Sequence, residues 1–191
     1  MKMYEEILDI LEEKGTATIP LICREINMRS SNTLKNLHAI EYSYIKSLIT
    51  SKNEIFLMKD GLVSIRPEKE PVKLTVVLHG YPGPELRVYI DFVKKRFTYF
   101  EWHLDSPALR PILLDHLPGS VENFKKKLYA LNIWDWKEDY QGEGIIVDGT
   151  SWFVKLETKG EIYERGGLDT FPKEWGKFLR SISSLIGKNI S

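Results

Sequence analysis

The sequence predicts an α+β chain in two parts: an N-terminal domain of short helices ending in strands, and a C-terminal antiparallel sheet with helices on one face, in the order βββαββα. Three observations carry this. The hydrophobic period changes from 3.6 to 2 near Tyr44. The stretch Arg66-Pro67-Glu68-Lys69-Glu70-Pro71 sets two prolines around three charges, which disfavours helix, cannot fill a central strand and offers nothing to bury. Beyond that stretch, strand patterns and helix patterns are segregated along the chain. The expected division is a domain over 1–66, a linker over 67–71 and a domain over 72–191.

The 191 residues are 42% hydrophobic and 28% charged, which is the composition of a globular protein. Lys plus Arg is 27 and Asp plus Glu is 27, so no net field draws the molecule to a polyanion, and a histone-like coating role is excluded. The single cysteine, Cys23, cannot form an internal disulfide. No apolar stretch approaches the roughly 18 residues of a spanning helix. The opening MKMYEEILDI places Glu5 and Glu6 where a signal peptide needs an apolar run. These points lead to the expectation of a cytoplasmic protein with no membrane contact.

In the first part, Tyr4, Ile7, Leu8 and Leu11 share a helical face and Gly15 follows as a stop. Thr18 is an N-cap with Pro20 in the next turn, and Ile19, Ile22, Cys23 and Ile26 continue a second helix before Asn27. Ser30, Ser31 and Asn32 offer caps to a third helix with Leu34, Leu37 and Ile40 inward. The run Tyr44-Ile45-Lys46-Ser47-Leu48-Ile49-Thr50 reads as a strand, followed by a polar turn at Ser51-Lys52-Asn53-Glu54 and a strand at Ile55-Phe56-Leu57-Met58. A second, stronger turn at Lys59-Asp60-Gly61 leads into Leu62-Val63-Ser64-Ile65.

Three short helices, the last two closely joined, followed by a small hairpin resemble the winged-helix form of helix-turn-helix domains over residues 1–66. The ending IFLMKDGLVSI is also similar to the HARE-type helix-turn-helix modules. The resemblance implies that the third helix, about residues 30–43, enters a major groove while a hairpin around residues 51–54 reaches backbone or minor groove. The charge distribution agrees with that polarity. Residues 1–28 hold three basic against six acidic side chains, whereas residues 29–52 hold Arg29, Lys35, Lys46 and Lys52 against Glu41 alone. The candidate DNA-binding residues are therefore Arg29, Ser31, Asn32, Lys35, Asn36, His38, Lys46 and Lys52, Asn being the usual partner of adenine. Four cations bind duplex DNA weakly from one copy, so a homodimer or larger assembly is expected.

In the second part, Lys73-Leu74-Thr75-Val76-Val77-Leu78, Leu86–Phe92 and Arg96–Leu104 form a meander, and Val121, Phe124, Leu128 and Leu131 mark a helix. A hairpin over 151–157 and 161–165 precedes a last helix opened by Pro172, with Trp175, Phe178, Leu179, Ile182, Leu185 and Ile186 as its apolar stripe. The run Asp148-Gly149-Thr150-Ser151-Trp152, with Gly166-Gly167 and Phe171-Pro172, is similar to the C-terminal half of small uncharacterised bacterial proteins, a likeness that implies a recurring fold unit and no activity.

Catalytic patterns are weak. Val77-Leu78-His79-Gly80-Tyr81-Pro82-Gly83 resembles the oxyanion loop of α/β-hydrolases, but the chain has no G-x-S-x-G and the loop reads as a Gly/Pro connection. Asp115-His116 diverges on either a helix or a strand, and Cys23 sits on an apolar stripe. Glu101, His103 and Asp105 alternate onto one face of the third strand and are the weak candidate metal set, but Phe100, Trp102 and Leu104 opposite them read as the core, which makes the polar stripe solvated. Trp134 and Trp136 flank Asp135 in a connector, and an exposed one of the pair is a candidate partner or ligand contact. The sequence therefore predicts no enzyme and no cofactor. It predicts a winged-helix DNA-binding transcription regulator with a C-terminal sensing or assembly domain. The alternative is a protein-interaction factor of defence, immunity or phage origin, docking on protein through the winged helix.

Overall fold

The computed structural model describes residues 3–31, 40–80, 83–103, 114–142 and 149–190. It is mixed α+β, with two sheets and five α-helices among the described residues, and divides into two compact units at residues 1–70 and 71–191.

The first unit runs α1 (Met3–Lys14), β1 (Thr16–Thr18), α2 (Ile19–Ser31), α3 (Tyr42–Ser51), β2 (Phe56–Lys59) and β3 (Leu62–Ile65). Helix α1 buries Ile7, Leu8, Ile10 and Leu11 and ends where the Gly15 N–H donates to Leu11 O. Thr18 caps α2 as its pattern suggests, Oγ1 accepting from Leu21 N at 3.4 Å. Ile22 and Ile26 of α2 are fully buried. The helix continues to Ser31, beyond the stop expected at Asn27.

The expected strand at 44–50 is instead α3. Its aromatic and β-branched content suggests a strand, but Ile45, Leu48 and Ile49 stand at i, i+3 and i+4, and Ile45 and Ile49 are the residues α3 buries. Most of the helix expected over 30–43 lies outside the described residues, at 32–39; on either side α2 ends at Ser31 and α3 begins at Tyr42. The polar turn at 51–54 is the exit from α3, with Phe56 N and Ile55 N both donating to Lys52 O, and is not a hairpin. The hairpin is β2–β3. Its two-residue turn has Asp60 at φ 51° and Gly61 at φ 77°, the pair of positive values that a type I′ turn requires. Strand β1 pairs antiparallel with β3, giving the order β1-β3-β2.

The stretch expected as a linker is more ordered than its composition suggests. Pro67–Lys69 is a single 3₁₀ turn, and Pro71 is the buried first residue of β4, opposite Thr158. Proline fits there because the ladder is irregular between Pro71 and Lys73.

The second unit contains β4 (Pro71–Gly80), β5 (Glu85–Asp91), β6 (Arg96–Trp102), α4 (Val121–Leu131), β7 (Asp139–Gln141), β8 (Thr150–Thr158), β9 (Ile162–Leu168) and α5 (Trp175–Ile186). The sheet order is β6-β5-β4-β8-β9-β7. All pairs are antiparallel except β7–β9, and β7 is a strand that the βββαββα pattern lacks. One face buries Leu74, Val76, Leu78, Val88, Ile90, Trp152, Val154 and Leu156. On that face Trp152 meets Trp175 of α5 with ring centroids 4.6 Å apart, while Phe92, just past β5, stacks on Phe124 of α4. Ser120 caps α4 by accepting from Asn123 N. No described helix is long and apolar enough to cross a membrane.

Candidate functional site

In the first unit, α3 and the β2–β3 hairpin carry exposed side chains of interest. With Ile45 and Ile49 buried, helical geometry turns Ser43, Ser47 and Thr50 to the opposite side, flanked by Lys46, and all four are exposed. Tyr42 and Tyr44 at the start of the helix are half exposed, as are Met58 and Leu62 beside the hairpin turn. The orientation of α3 is set by a two-way amide contact: Asn27 Oδ1 accepts from Ile40 N at 2.8 Å, and Asn27 Nδ2 donates to Ile40 O at 3.5 Å. Asn27 thus fastens the entry of α3 to the body of α2.

The sequence-predicted residues are distributed unevenly over this surface. Lys46 lies on α3, exposed. Arg29 lies in the last turn of α2, where it holds Glu13 at 2.7 Å. Lys52 follows α3 and pairs with Glu54 at 3.3 Å. Ser31 ends α2, and Asn32, Lys35, Asn36 and His38 lie outside the described residues. Two of the cations counted toward DNA are therefore already matched by carboxylates, and α3 itself carries one formal charge, Lys46. Sequence reading missed Tyr42, Ser43, Ser47 and Thr50 as surface residues of α3, and Lys59 beside the hairpin turn. The i, i+3, i+4 spacing of Ile45, Leu48 and Ile49 and the strength of the Asp60-Gly61 turn were the signals that could have found them.

In the second unit the faces of β6 are the reverse of those expected. Phe100 and Trp102 are 46% and 48% exposed, whereas the Glu101 side chain is 15% exposed. The register explains this. Tyr99 and Glu101 oppose Val88 and Leu86, which are core residues, so the polar stripe faces inward and the aromatics face out. Glu101 is accommodated because its carboxylate is matched on all sides. Tyr99 OH donates to Oε2 at 2.7 Å, His103 Nε2 lies 3.1 Å from Oε1, and Lys188 forms an ion pair with Oε2. Partial burial pushes the Glu101 carboxyl up, but hydrogen bonds from Lys188 and Tyr99 and the nearby positive charge outweigh it and hold the group below its usual range. The Tyr99 hydroxyl is raised, first by burial and then by Glu101. Asp105 lies outside the described residues, and among those described no three His, Cys, Asp or Glu side chains are grouped to hold a metal.

Neither connector tryptophan is exposed. Trp134 is 5% and Trp136 is 6% exposed, which corrects the expectation of a contact residue there. Trp136 sits among Trp152, Trp175 and Phe178 at centroid distances of 6.2, 6.1 and 5.5 Å. Trp134 lies edge-on to Tyr129, and its carbonyl accepts from the buried Arg165 at 3.0 Å. The Cys23 thiol is buried and its pKa raised by that burial, which disfavours the nucleophilic thiolate.

Comparison with protein-family models, with curated proteins and with solved structures gave no match.

Proposed function

We propose that the chain is a two-part regulator. Its first unit is a winged helix that docks on duplex DNA through α3 and the β2–β3 hairpin, and its second unit serves binding or assembly. The observation that carries this reading is topological. The order α1-β1-α2-α3-β2-β3, with the sheet ordered β1-β3-β2, supports the winged-helix resemblance, and the hydroxyl-bearing side of α3 is exposed on the same unit as the hairpin. Ser43, Ser47 and Thr50 are suited to phosphate oxygens and base edges, and Lys46 supplies charge. The recognition element is then α3, not residues 30–43. The non-catalytic role for the second unit is supported by Glu101, whose carboxylate is taken up by Tyr99, His103 and Lys188 rather than held ready for a substrate.

The test is titration of mixed-sequence duplex DNA at low salt, followed by addition of salt. Binding should weaken steeply, in proportion to the few phosphates neutralised. A second reading, docking on protein, is favoured by the half-exposed Tyr42 and Tyr44 on α3 and Met58 and Leu62 on the hairpin, and by the sparse charge of α3. Absence of duplex affinity at low salt would leave that second reading in place of the first.

A further inference from the structure

We propose that β6 is a self-association edge: two copies of this chain pair their β6 strands antiparallel about a two-fold axis at Tyr99, joining two six-stranded sheets into one. The proposal concerns the second unit and stands independently of the DNA reading.

Among the described residues β6 pairs only with β5, so its outer side presents a row of backbone N–H and C=O groups without strand partners. Such edges are normally protected by shortness, proline, lysine or a bulge. The opposite edge, β7, has that protection, being three residues long. β6 has none of it. It is seven residues long, its register with β5 is unbroken from Arg96 to Trp102, and Phe97 to Trp102 contain neither Lys nor Pro.

The surface beside this edge is apolar as well. Phe100 and Trp102 stand on the same side of the sheet as Tyr89, with Tyr89 and Phe100 edge to face at 6.2 Å. A shallow concavity of about 310 Å³ opens between Glu85, Arg87, Phe100 and Trp102. The charges of this face bear on its occupant. By register, its five long strands carry Lys73, Arg87, Arg96 and Lys155 against Glu85, Asp91, Glu157 and Glu164. Arg87 is paired with Glu85, and Lys155 with Glu164. A balanced face gives a polyanion no foothold, and a two-fold rotation about the edge brings no like charges of β6 opposite each other. With the axis at Tyr99, Arg96 of one copy lies opposite Trp102 of the other, a cation beside an indole, and Thr98 lies opposite Phe100.

Sedimentation velocity of the full chain across a concentration series, without DNA, tests this. The wild type should pass from the 22.2 kDa monomer to twice that mass. Phe100→Lys and Trp102→Lys, both at half-exposed positions, should weaken association by about tenfold or more. Phe153→Lys, on the same face but on β8, should leave it unchanged. Amide exchange over 96–102 in the wild type should slow as concentration rises, a readout that needs no variant to fold. A wild type that stays monomeric throughout overturns the proposal. So does a dimer that both β6 variants leave intact, which would assign the interface elsewhere, and so does a face that takes up single-stranded nucleic acid in place of a second copy.

Discussion

At Glu101 one carboxylate has three partners, and the pH dependence of stability follows from them. A carboxyl held below its usual range in the folded state stabilises the fold above that range and loses the contribution as pH falls through the lowered value. Glu101→Gln should therefore cost about 1.5–3 kcal/mol near neutral pH, the scale of a hydrogen bond to a charged group. In urea titrations the wild-type and variant stabilities should converge as the solution is acidified below the ordinary carboxylate range. A gap that persists unchanged into acid would show that the charge of Glu101 contributes nothing. Trp136 is a simpler case of packing: truncation to Ala removes a ring shared by two other tryptophans and Phe178. The expected loss is about 3–5 kcal/mol in the same titration, typical of a buried aromatic.

At the scale of elements, β4, β5, β8 and the two helices of the second unit were legible because alternating or 3.6-period apolar residues face a core that only one arrangement satisfies. The β6 faces were inverted because aromatic residues read as core by type, whereas the register with Val88 and Leu86 decides which side is inside. Strands β1 and β7 left no trace in the pattern, since three residues cannot show a period and their pairing is set by neighbours distant in sequence. Helix α3 was misread because Tyr, Ile and Thr favour strands when counted by type, although their spacing is helical. Of the residues named from sequence as DNA contacts, only Lys46 lies on α3, because residues 44–50 were read as a strand. This reassignment predicts an ordering. Lys46→Glu should weaken duplex binding by more than Lys52→Glu, since Lys52 is already paired with Glu54, and filter binding at low salt measures the difference. Gly61→Ala places a Cβ at a φ of 77° and should lower stability by about 1 kcal/mol without shifting the α3 surface.

Over the whole molecule, the boundary at Glu70 and Pro71 separates two units whose cores do not depend on a shared sheet. Brief proteolysis should cut within 66–70 before it cuts inside either unit; Lys69 offers trypsin a cleavage site there, on the 3₁₀ turn. Protection of that segment, with first cuts inside β4 or β3, would contradict independent units.

The placement of β4 also bears on how the chain refolds. It is the first strand of its unit and a central one, and its second neighbour is β8, so Pro71 must find Thr158 across most of the unit's length. The helices and hairpin of the first unit close over much shorter distances. Loop closure across long separations slows a folding reaction, so the second unit should fold later than the first after dilution from denaturant. All five tryptophans belong to the second unit, which makes fluorescence a clock for it alone, while far-ultraviolet circular dichroism follows both. A helical signal recovered ahead of tryptophan emission is the expected result. During that interval β4 has an unpaired flank, and crowding the refolding solution should divert chains into aggregates at that stage rather than before it.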